Sequence, residues 1–269
     1  MDLHTVAEVV SPARIGQWRP GDAWLGGGTA LFAEPRPALT RLLDLVAAGW
    51  TPITVRDDGV EIAATCTIAE LFRFAQAPQT PAAFRNLATG CCHAFLASFK
   101  IWNVATVGGN LCAALPAGPR ITLLAALDGE CLVAGPDGKR TVPVVNFVTG
   151  DGSTVLRDGE LLRSVTVPAT AMGGPVTYRQ GSLFTHGRSA ALLAGRVTAS
   201  AGFVLTVTAA TVRPYQLRFD GLPDERSLTA ALHEAIPDDA WTDDVHGLPT
   251  WRRHLTLRYA EEIRRRLEP

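Results

Sequence analysis

Two glycine-rich segments interrupt the apolar stretches of this 269-residue chain. The first, WLGGGTALF, has three consecutive glycines at residues 26–28, and the hydroxyl-bearing Thr29 follows them. The second, ATVGGNLCAAL, has Gly108 and Gly109 in an otherwise apolar run. Glycines leave backbone N–H groups free to approach a ligand, and such concave stretches of backbone bind anions, diphosphates above all. Two of them in one chain predict a long diphosphate cofactor that is held from two sides.

Each segment taken alone has a simpler explanation. A tight turn from a strand into a helix, with no ligand, is the commoner origin of an isolated GGGT. Neither segment has the lysine of the G-x-x-x-x-G-K-[ST] phosphate loop, and neither forms G-x-G-x-x-G within a βαβ unit. The spacing therefore excludes a P-loop and a Rossmann site.

Bulk composition narrows the class of protein. Hydrophobic residues make up 47% and charged residues 19%, which is enough apolar material for a core and too much for disorder. The net charge of −1 disfavours nucleic acid and anionic lipid as partners. No apolar run approaches the roughly 20 residues of a membrane span, and MDLHTVAEVV lacks the features of a signal peptide. A cytoplasmic globular protein without a membrane span is the expectation.

The cysteines predict neither disulfides nor a metal site. Their number is odd, and their spacing matches neither C-x₂-C zinc sites nor the C-x₄-C-x₂-C run of plant-type iron–sulfur sites. Reduced thiols are expected, with the adjacent Cys91 and Cys92 as two small buried residues. The five positions are Cys66, Cys91, Cys92, Cys112 and Cys131.

The elements that must position the two loops are short strands mixed with helices, which predicts an α+β fold. DAWLGG is a strand that runs into the first loop, and TPITVRDDGVEIAA and ECLVAGPDGKRTVPVV are hairpins. Thr67 and Glu70 form a capping box before a helix. We expect a helix over residues 81–99, a turn at TVGGN, a short buried helix at RITLLAAL and a strand at ELLRSVTVPA.

A second lobe is predicted after the MGGP turn at residues 172–175, where VTYRQ and AGFVLTVTAATV alternate like strands. The chain closes with a helix from about Thr250 to Leu267. Its arginines, among them Arg252, are expected to point away from an apolar stripe that packs in the core. The stripe recurs every four residues, at Trp251, Leu255, Tyr259, Ile263 and Leu267.

The loops resemble those of a known family, the FAD-binding medium subunits of molybdenum hydroxylases. This group includes carbon monoxide dehydrogenase, xanthine dehydrogenase, and nicotine or quinoline oxidoreductases. GGGTALF is similar to the family's A-G-G-T-D-L loop, and WNVATVGGNLCAALPAGP is similar to R-N-x-G-T-I-G-G-N-x-x-x-A-x-P-x-x-D. Downstream, LLAALDGECLVAG, RTVPVVNFVTG and LRDGELLRSVTVP resemble further family segments in the same order. The likeness covers nearly the whole chain.

The resemblance implies a PCMH-type FAD-binding domain, the fold shared with vanillyl-alcohol oxidase, over residues 1–172. This domain would have a small N-terminal part, about residues 1–55, and a larger part over residues 56–172. A smaller α+β C-terminal domain would occupy residues 173–269.

By the same resemblance, FAD binds noncovalently between the two parts of the first domain, and backbone amides of both loops hold its pyrophosphate with help from the Thr106 hydroxyl. No catalytic or metal-ligating residue is implied. The implied cofactor-binding residues are Leu25, Gly26, Gly27, Gly28, Thr29, Ala30, Leu31, Ala105, Thr106, Gly108, Gly109, Asn110, Leu162 and Gln180.

The resemblance also implies partners. A large subunit would carry molybdopterin and oxidise the substrate, and a small subunit would carry two [2Fe–2S] clusters. The flavin of this chain would pass electrons from those clusters to an external acceptor. The implied assembly is a heterotrimer dimerised to a heterohexamer.

The chain departs from the family pattern at several polar positions. Ala30 follows the threonine where relatives often have an acidic or polar residue, and Leu115 and Pro119 stand where relatives have carboxylates. Gln180 replaces a common lysine, and Arg188 replaces an aspartate. The loss of charge at Leu115 and Pro119 predicts an apolar rim suited to contact with a partner protein.

Three functions are therefore open: a working FAD subunit, a degenerate subunit with a structural or assembly role, and a stand-alone flavin oxidase. The third would need a base near the flavin. His93 lies in an apolar stretch and is expected in the core. By the resemblance, His186 falls where the flavin ring would lie, which makes it the better candidate.

Overall fold

The computed structural model describes residues 3–11 and 18–268. Its strands are β1 (Glu8–Val10), β2 (Asp22–Leu25), β3 (Arg41–Asp44), β4 (Ile53–Arg56), β5 (Gly59–Ala63), β6 (Glu130–Gly135), β7 (Gly138–Pro143), β8 (Val148–Gly150), β9 (Ser153–Thr154), β10 (Leu161–Pro168), β11 (Val176–Gly181), β12 (Ala191–Val197), β13 (Phe203–Thr208) and β14 (Tyr215–Phe219). Its α-helices are α1 (Ile68–Ala75), α2 (Ala82–His93), α3 (Phe99–Trp102), α4 (Val107–Ala113), α5 (Pro119–Ala126), α6 (Val144–Phe147), α7 (Glu225–Ala235) and α8 (Pro249–Arg266).

A small parallel sheet, in the order β1-β3-β2, leads into the first glycine segment. Asp22 pairs with Arg41 across β2 and β3. Nε of Arg41 donates to Oδ1 of Asp22 at 2.8 Å, and Nη2 donates to Oδ2 at 2.6 Å. Because the Asp22 side chain is fully buried, this two-point ion pair ties the strand before the glycines to its neighbour.

The second sheet is antiparallel in the order β4-β5-β10-β6-β7, and it contains both predicted hairpins and the predicted strand β10. Helices α1, α2, α4 and α5 contribute to the main apolar core with this sheet. The capping box of α1 is confirmed, since Oγ1 of Thr67 accepts from the Glu70 amide at 3.2 Å and the Glu70 carboxylate accepts from the Thr67 amide at 2.8 Å. The adjacent Cys91 and Cys92 are fully buried, as expected.

The third sheet is an antiparallel meander of β11, β12, β13 and β14, and α7 and α8 pack in its core. The predicted stripe of α8 is confirmed, because all five of its residues belong to this core or pack against it. Arg252 differs from expectation. It is fully buried and donates to the carbonyl oxygens of Gly247, Ala190 and Ala209 at 2.9, 2.8 and 2.7 Å, so it satisfies loop carbonyls inside the protein.

Helix α5 joins the two larger sheets. All eight of its residues are buried, which confirms the predicted buried helix. On one side it lies in the main core, and on the other Oγ1 of Thr122 lies 2.6 Å from Oγ1 of Thr208 on β13.

The segment between β10 and β11 includes a 3₁₀ helix, Ala169–Met172. The proposed domain limits stay a prediction. The outer limits, residues 1 and 269, lie outside the described residues.

Two local predictions are wrong. The helix expected over residues 81–99 ends at His93, and α3 starts only after Ser98, whose extended backbone breaks the helical path. The expected turn at TVGGN is the start of helix α4, with Thr106 as its N-cap.

No helix within residues 3–11 and 18–268 is long and apolar enough to cross a membrane.

Candidate functional site

The first glycine segment forms a tight turn directly after β2. The amide of Phe32 donates to the carbonyl oxygen of Gly28 at 2.8 Å, and Gly28 has a φ of +71°, a conformation that favours glycine. Residues 29–33 form turns, so the strand does not run into a helix at Thr29. In the described chain, the amides of Gly27, Gly28, Thr29 and Ala30 donate no hydrogen bond to another residue. Four consecutive free N–H groups suit an anionic ligand.

The second segment differs from the first, because the amides of its two glycines already donate hydrogen bonds within the protein. The Gly108 amide donates to the carbonyl oxygen of Ala64 at 2.9 Å, and the Gly109 amide donates to Oγ1 of Thr106 at 3.0 Å. The resemblance implied that these two amides would hold a pyrophosphate. Both instead fasten the start of α4 to the strand end and to its own N-cap residue. The hydroxyl proton of Thr106 remains available to donate.

The two segments, 80 residues apart in the chain, lie in contact. An ideal Cβ on Gly27 would overlap the carbonyl oxygen of Val104 and lie 3.1 Å from the Cα of Ala105. An ideal Cβ on Gly26 would lie 3.2 Å from Oγ1 of Thr106. The structure thus brings Gly26 and Gly27 of the first segment against residues 104–106 at the start of the second.

The paired glycines of α4 have different surroundings. An ideal Cβ on Gly108 would lie 2.5 Å from Cβ of Ala64 and 2.8 Å from its carbonyl oxygen, so this glycine is required for packing. On Gly109, the ideal Cβ would lie 2.9 Å from Oγ1 of Thr106, and among the described residues no other atom outside its own helix backbone and chain neighbours would lie within 4 Å. Gly109 is exposed, so a ligand can reach its backbone.

A cleft of about 300 Å³ adjoins the second segment at Asn110, the residue after Gly109. Three departures from the family pattern, Leu115, Pro119 and Arg188, meet in this cleft although they are scattered in the sequence. The lining residues are Ala94, Phe95, Leu96, Asn110, Leu115, Ala117, Gly118, Pro119, His186 and Arg188.

Two expectations for this region need correction. Pro119 is buried at the first turn of α5, so it forms no part of an exposed apolar rim; Leu115 is 41% exposed. His93 is exposed rather than in the core, because it lies at the end of α2, where its ring packs beside those of Phe72 and Trp102.

Arg120 lies behind the cleft and is fully buried. Its Nη1 donates to the carbonyl oxygen of Cys91 at 2.8 Å, and its Cζ lies 4.5 Å from the ring centroid of Phe95. Its Nε and Nη2 atoms are buried and have no hydrogen-bond partner among the described residues. Burial lowers the pKa of the guanidinium to about 10, which leaves it protonated at neutral pH.

Two predicted site residues are not among those that line the cleft. Leu162 is buried in β10 within the main core. Gln180 is exposed on β11, and its Nε2 donates to Oγ of Ser189 at 3.0 Å.

Sequence reasoning missed three residues that shape the region. The ring of Phe32 covers Gly28, since an ideal Cβ there would lie 2.7 Å from Cδ2 of Phe32. Ala64 packs against Gly108 of the second segment, and an alanine in the sequence gives no sign of this role. Arg120 did carry a signal, because it is the charged residue of an otherwise apolar helix.

Comparison with known proteins identifies the family. The family described as the FAD binding domain in molybdopterin dehydrogenase matches residues 4–170. The chain belongs to this family. The resemblance stated from the two loops is thereby confirmed, and with it the predicted FAD-binding domain.

Individual relatives are about one third identical in sequence to this chain over the matched segments. The putative xanthine dehydrogenase FAD-binding subunit XdhB of Escherichia coli (strain K12) is 32% identical over 170 residues, which are 61% of this chain and 56% of the relative. The carbon monoxide dehydrogenase medium chain of Hydrogenophaga pseudoflava is 31% identical over 85 residues, 32% of this chain and 30% of the relative. The matched segments thus span less than two thirds of either relative.

Solved structures with the same fold match over nearly the whole length. A chain of carbon monoxide dehydrogenase from Oligotropha carboxidovorans superposes with a TM-score of 0.80 at 22% identity, covering 99% of this chain and 100% of that one. A chain of quinoline 2-oxidoreductase from Pseudomonas putida 86 gives 0.78 at 19% identity, covering 99% and 98%. These matches confirm the predicted α+β fold class.

Proposed function

We propose that this chain is the FAD-binding electron-transfer subunit of a molybdenum hydroxylase. The observation that carries the proposal is the contact between the two glycine segments, at Gly27 against the carbonyl of Val104, within a member of an FAD-binding family. The names of the relatives, a carbon monoxide dehydrogenase medium chain and a xanthine dehydrogenase FAD-binding subunit, support the same role.

The residues present fit the diphosphate part of FAD. The free amides of residues 27–30 would donate to the pyrophosphate, and the hydroxyl of Thr106 would donate beside them. The absence of a side chain at the exposed Gly109 would let the ligand approach the backbone closely. The first segment would then supply the backbone amides, while the second would shape the site and add the Thr106 hydroxyl.

A bound flavin would supply the redox chemistry, since it can exchange electrons singly or in pairs. The chain itself needs only to bind and orient the cofactor and to dock its partners. We infer that the partners are a large molybdopterin subunit and a small subunit with [2Fe–2S] clusters, assembled as a heterotrimer that dimerises. The acceptor of the electrons is external to the complex.

Binding is tested by titrating the purified chain with FAD and following the quenching of flavin fluorescence. We expect noncovalent binding, with release of intact FAD on denaturation. A folded protein that gives no saturable binding would overturn the proposal and favour the degenerate, structural role.

Electron transfer is tested by rapid mixing of the assembled complex with its reducing substrate, followed at the flavin absorbance. We expect reduction of the flavin in the complex and none in the isolated subunit. Reduction of the clusters with the flavin left oxidised, and turnover unaffected by removal of FAD, would contradict the electron-transfer role.

A further inference from the structure

The charged residue found to line the cleft beside Asn110 is the positively charged Arg188. Arg188 and His186 lie on the loop after β11, and neither an aspartate nor a glutamate is among the residues found to line the cleft. The amide side chain of Asn110 is held by its Oδ1, which accepts from the backbone amide of Arg120 at 3.0 Å. This hydrogen bond leaves Nδ2, a donor, as the remaining polar group of the side chain.

Arg120 adds a second layer of positive charge. Its guanidinium lies against Phe95, a lining residue, and no carboxylate pairs with it in the described chain. A buried charge is screened by solvent much less than an exposed one, so its field reaches into the neighbouring cleft. An arginine with two unpaired buried nitrogens is also costly to keep, which a favourable interaction with a negative ligand would offset.

The position of the cleft ties it to the cofactor. Another cleft of this volume lies near Asp128 and Arg218, and none of the predicted site residues lines it. The cleft with Arg188 contains Asn110, which follows directly on Gly109 in α4. A ligand held at the glycine segments can therefore extend into it.

We propose that this cleft stabilises the reduced, anionic form of the flavin over its oxidised form, through the positive charges of Arg188 and Arg120. The proposal rests on the proposed function, since it requires bound FAD. Reduction by two electrons with uptake of one proton converts neutral isoalloxazine into an anion, FAD + 2e⁻ + H⁺ → FADH⁻, with the electrons supplied by a reduced iron–sulfur partner. Fixed charge near the ring is one of the means by which a protein sets flavin potential.

The test is a reductive titration of the FAD-loaded chain with dithionite and an indicator dye, which gives the midpoint potential of bound FAD relative to free FAD. The potential reports the ratio of the dissociation constants for oxidised and reduced FAD. We expect this ratio to fall about threefold or more in Arg188→Gln, as expected for removal of one partly screened charge. A tenfold change corresponds to about 30 mV for a two-electron couple.

Leu115 provides a second variant that does not disturb the core, because it is exposed at the cleft. Leu115→Glu should lower the ratio, and Leu115→Gln should leave it unchanged. Arg226→Gln, at an exposed arginine on α7, is the control for loss of any surface charge. Unchanged potentials in Arg188→Gln and Leu115→Glu, with FAD still bound, would overturn this inference and leave the proposed function standing. Failure of the wild-type chain to bind oxidised FAD would overturn both.

Discussion

Gly27 lies so close to Val104 that an ideal Cβ on the glycine would overlap the Val104 carbonyl oxygen and lie 2.5 Å from its carbonyl carbon. The clash is with backbone, which cannot rotate away as a side chain can. The first loop is therefore seated on the chain just before the second, and the two act as one structural unit. A change at this contact should alter both loops.

Gly27→Ala should be destabilising and should abolish FAD binding. The added methyl group forces the loops apart, at a cost of about 2 kcal/mol or more. Gly221→Ala is the matched control, because an ideal Cβ there has no atom of the described residues within 4 Å beyond its chain neighbours. Urea unfolding and FAD titration of both variants check the prediction. Wild-type stability in Gly27→Ala would show that the two loops do not meet as described.

The glycines of α4 should separate folding from binding. Gly108→Ala places a Cβ against the Ala64 backbone and should destabilise the protein. Gly109→Val places its Cβ 2.9 Å from Oγ1 of Thr106 and not against backbone, so the variant should lose less stability than Gly108→Ala while FAD affinity falls at least about tenfold. Circular dichroism and flavin fluorescence distinguish the two outcomes. Full FAD occupancy in folded Gly109→Val would remove the second segment from the site.

How far the sequence predicted the fold depended on whether the signal was local. The hairpin around Asp57 and Asp58 and the capping box at Thr67 were predicted correctly because a few adjacent residues determine each. Helix α2 was predicted too long, since its apolar spacing continues past His93 while Ser98 takes an extended backbone before α3. Such a break depends on tertiary packing that periodicity does not report.

The candidate site was only partly predictable for the same reason. Glycine runs showed where backbone must be bare, and the structure brings both runs together. They did not show which amides are free. The amides of Gly108 and Gly109 are bonded to Ala64 and Thr106, and this depends on a strand end more than 40 residues earlier in the chain. Nor could spacing show that Leu115 and Arg188 share one cleft.

Thr106 should contribute to both stability and binding. Its Oγ1 accepts from the Gly109 amide at 3.0 Å, so Thr106→Ala removes an N-cap and should cost about 1 kcal/mol. FAD affinity should fall as well, because a free hydroxyl donor at the site is lost. Thr106→Ser keeps the oxygen and should restore most of both quantities. Equal losses in the serine and alanine variants would mean that the methyl group, and not the hydroxyl, is what matters.

The ion pair between Asp22 and Arg41 holds the strand that leads into the first loop. The hydrogen bond from Arg41 holds the pKa of the Asp22 carboxyl below its ordinary value, against the opposing effect of burial. A carboxyl with a depressed folded-state pKa binds fewer protons in the folded chain than in the unfolded one. Its stabilisation is therefore present above the unfolded pKa of about 3.9 and is lost as the pH falls through the folded value.

Asp22→Asn should destabilise the protein by about 3 kcal/mol at a pH of about 7, because it removes a buried carboxylate that accepts two hydrogen bonds from Arg41. The difference in unfolding free energy between wild type and Asp22→Asn should shrink as the pH is lowered below about 4, since wild type then loses the same charge by protonation. Asp238→Asn is the control: this carboxylate is 89% exposed and pairs with Arg253 at the surface, so its loss should change stability by less than about 1 kcal/mol at any pH. Urea unfolding of the three proteins across this pH range measures the differences. If the difference in unfolding free energy between wild type and Asp22→Asn stays constant down to a pH of about 3, the pKa of the Asp22 carboxyl is not lower in the folded chain than in the unfolded one.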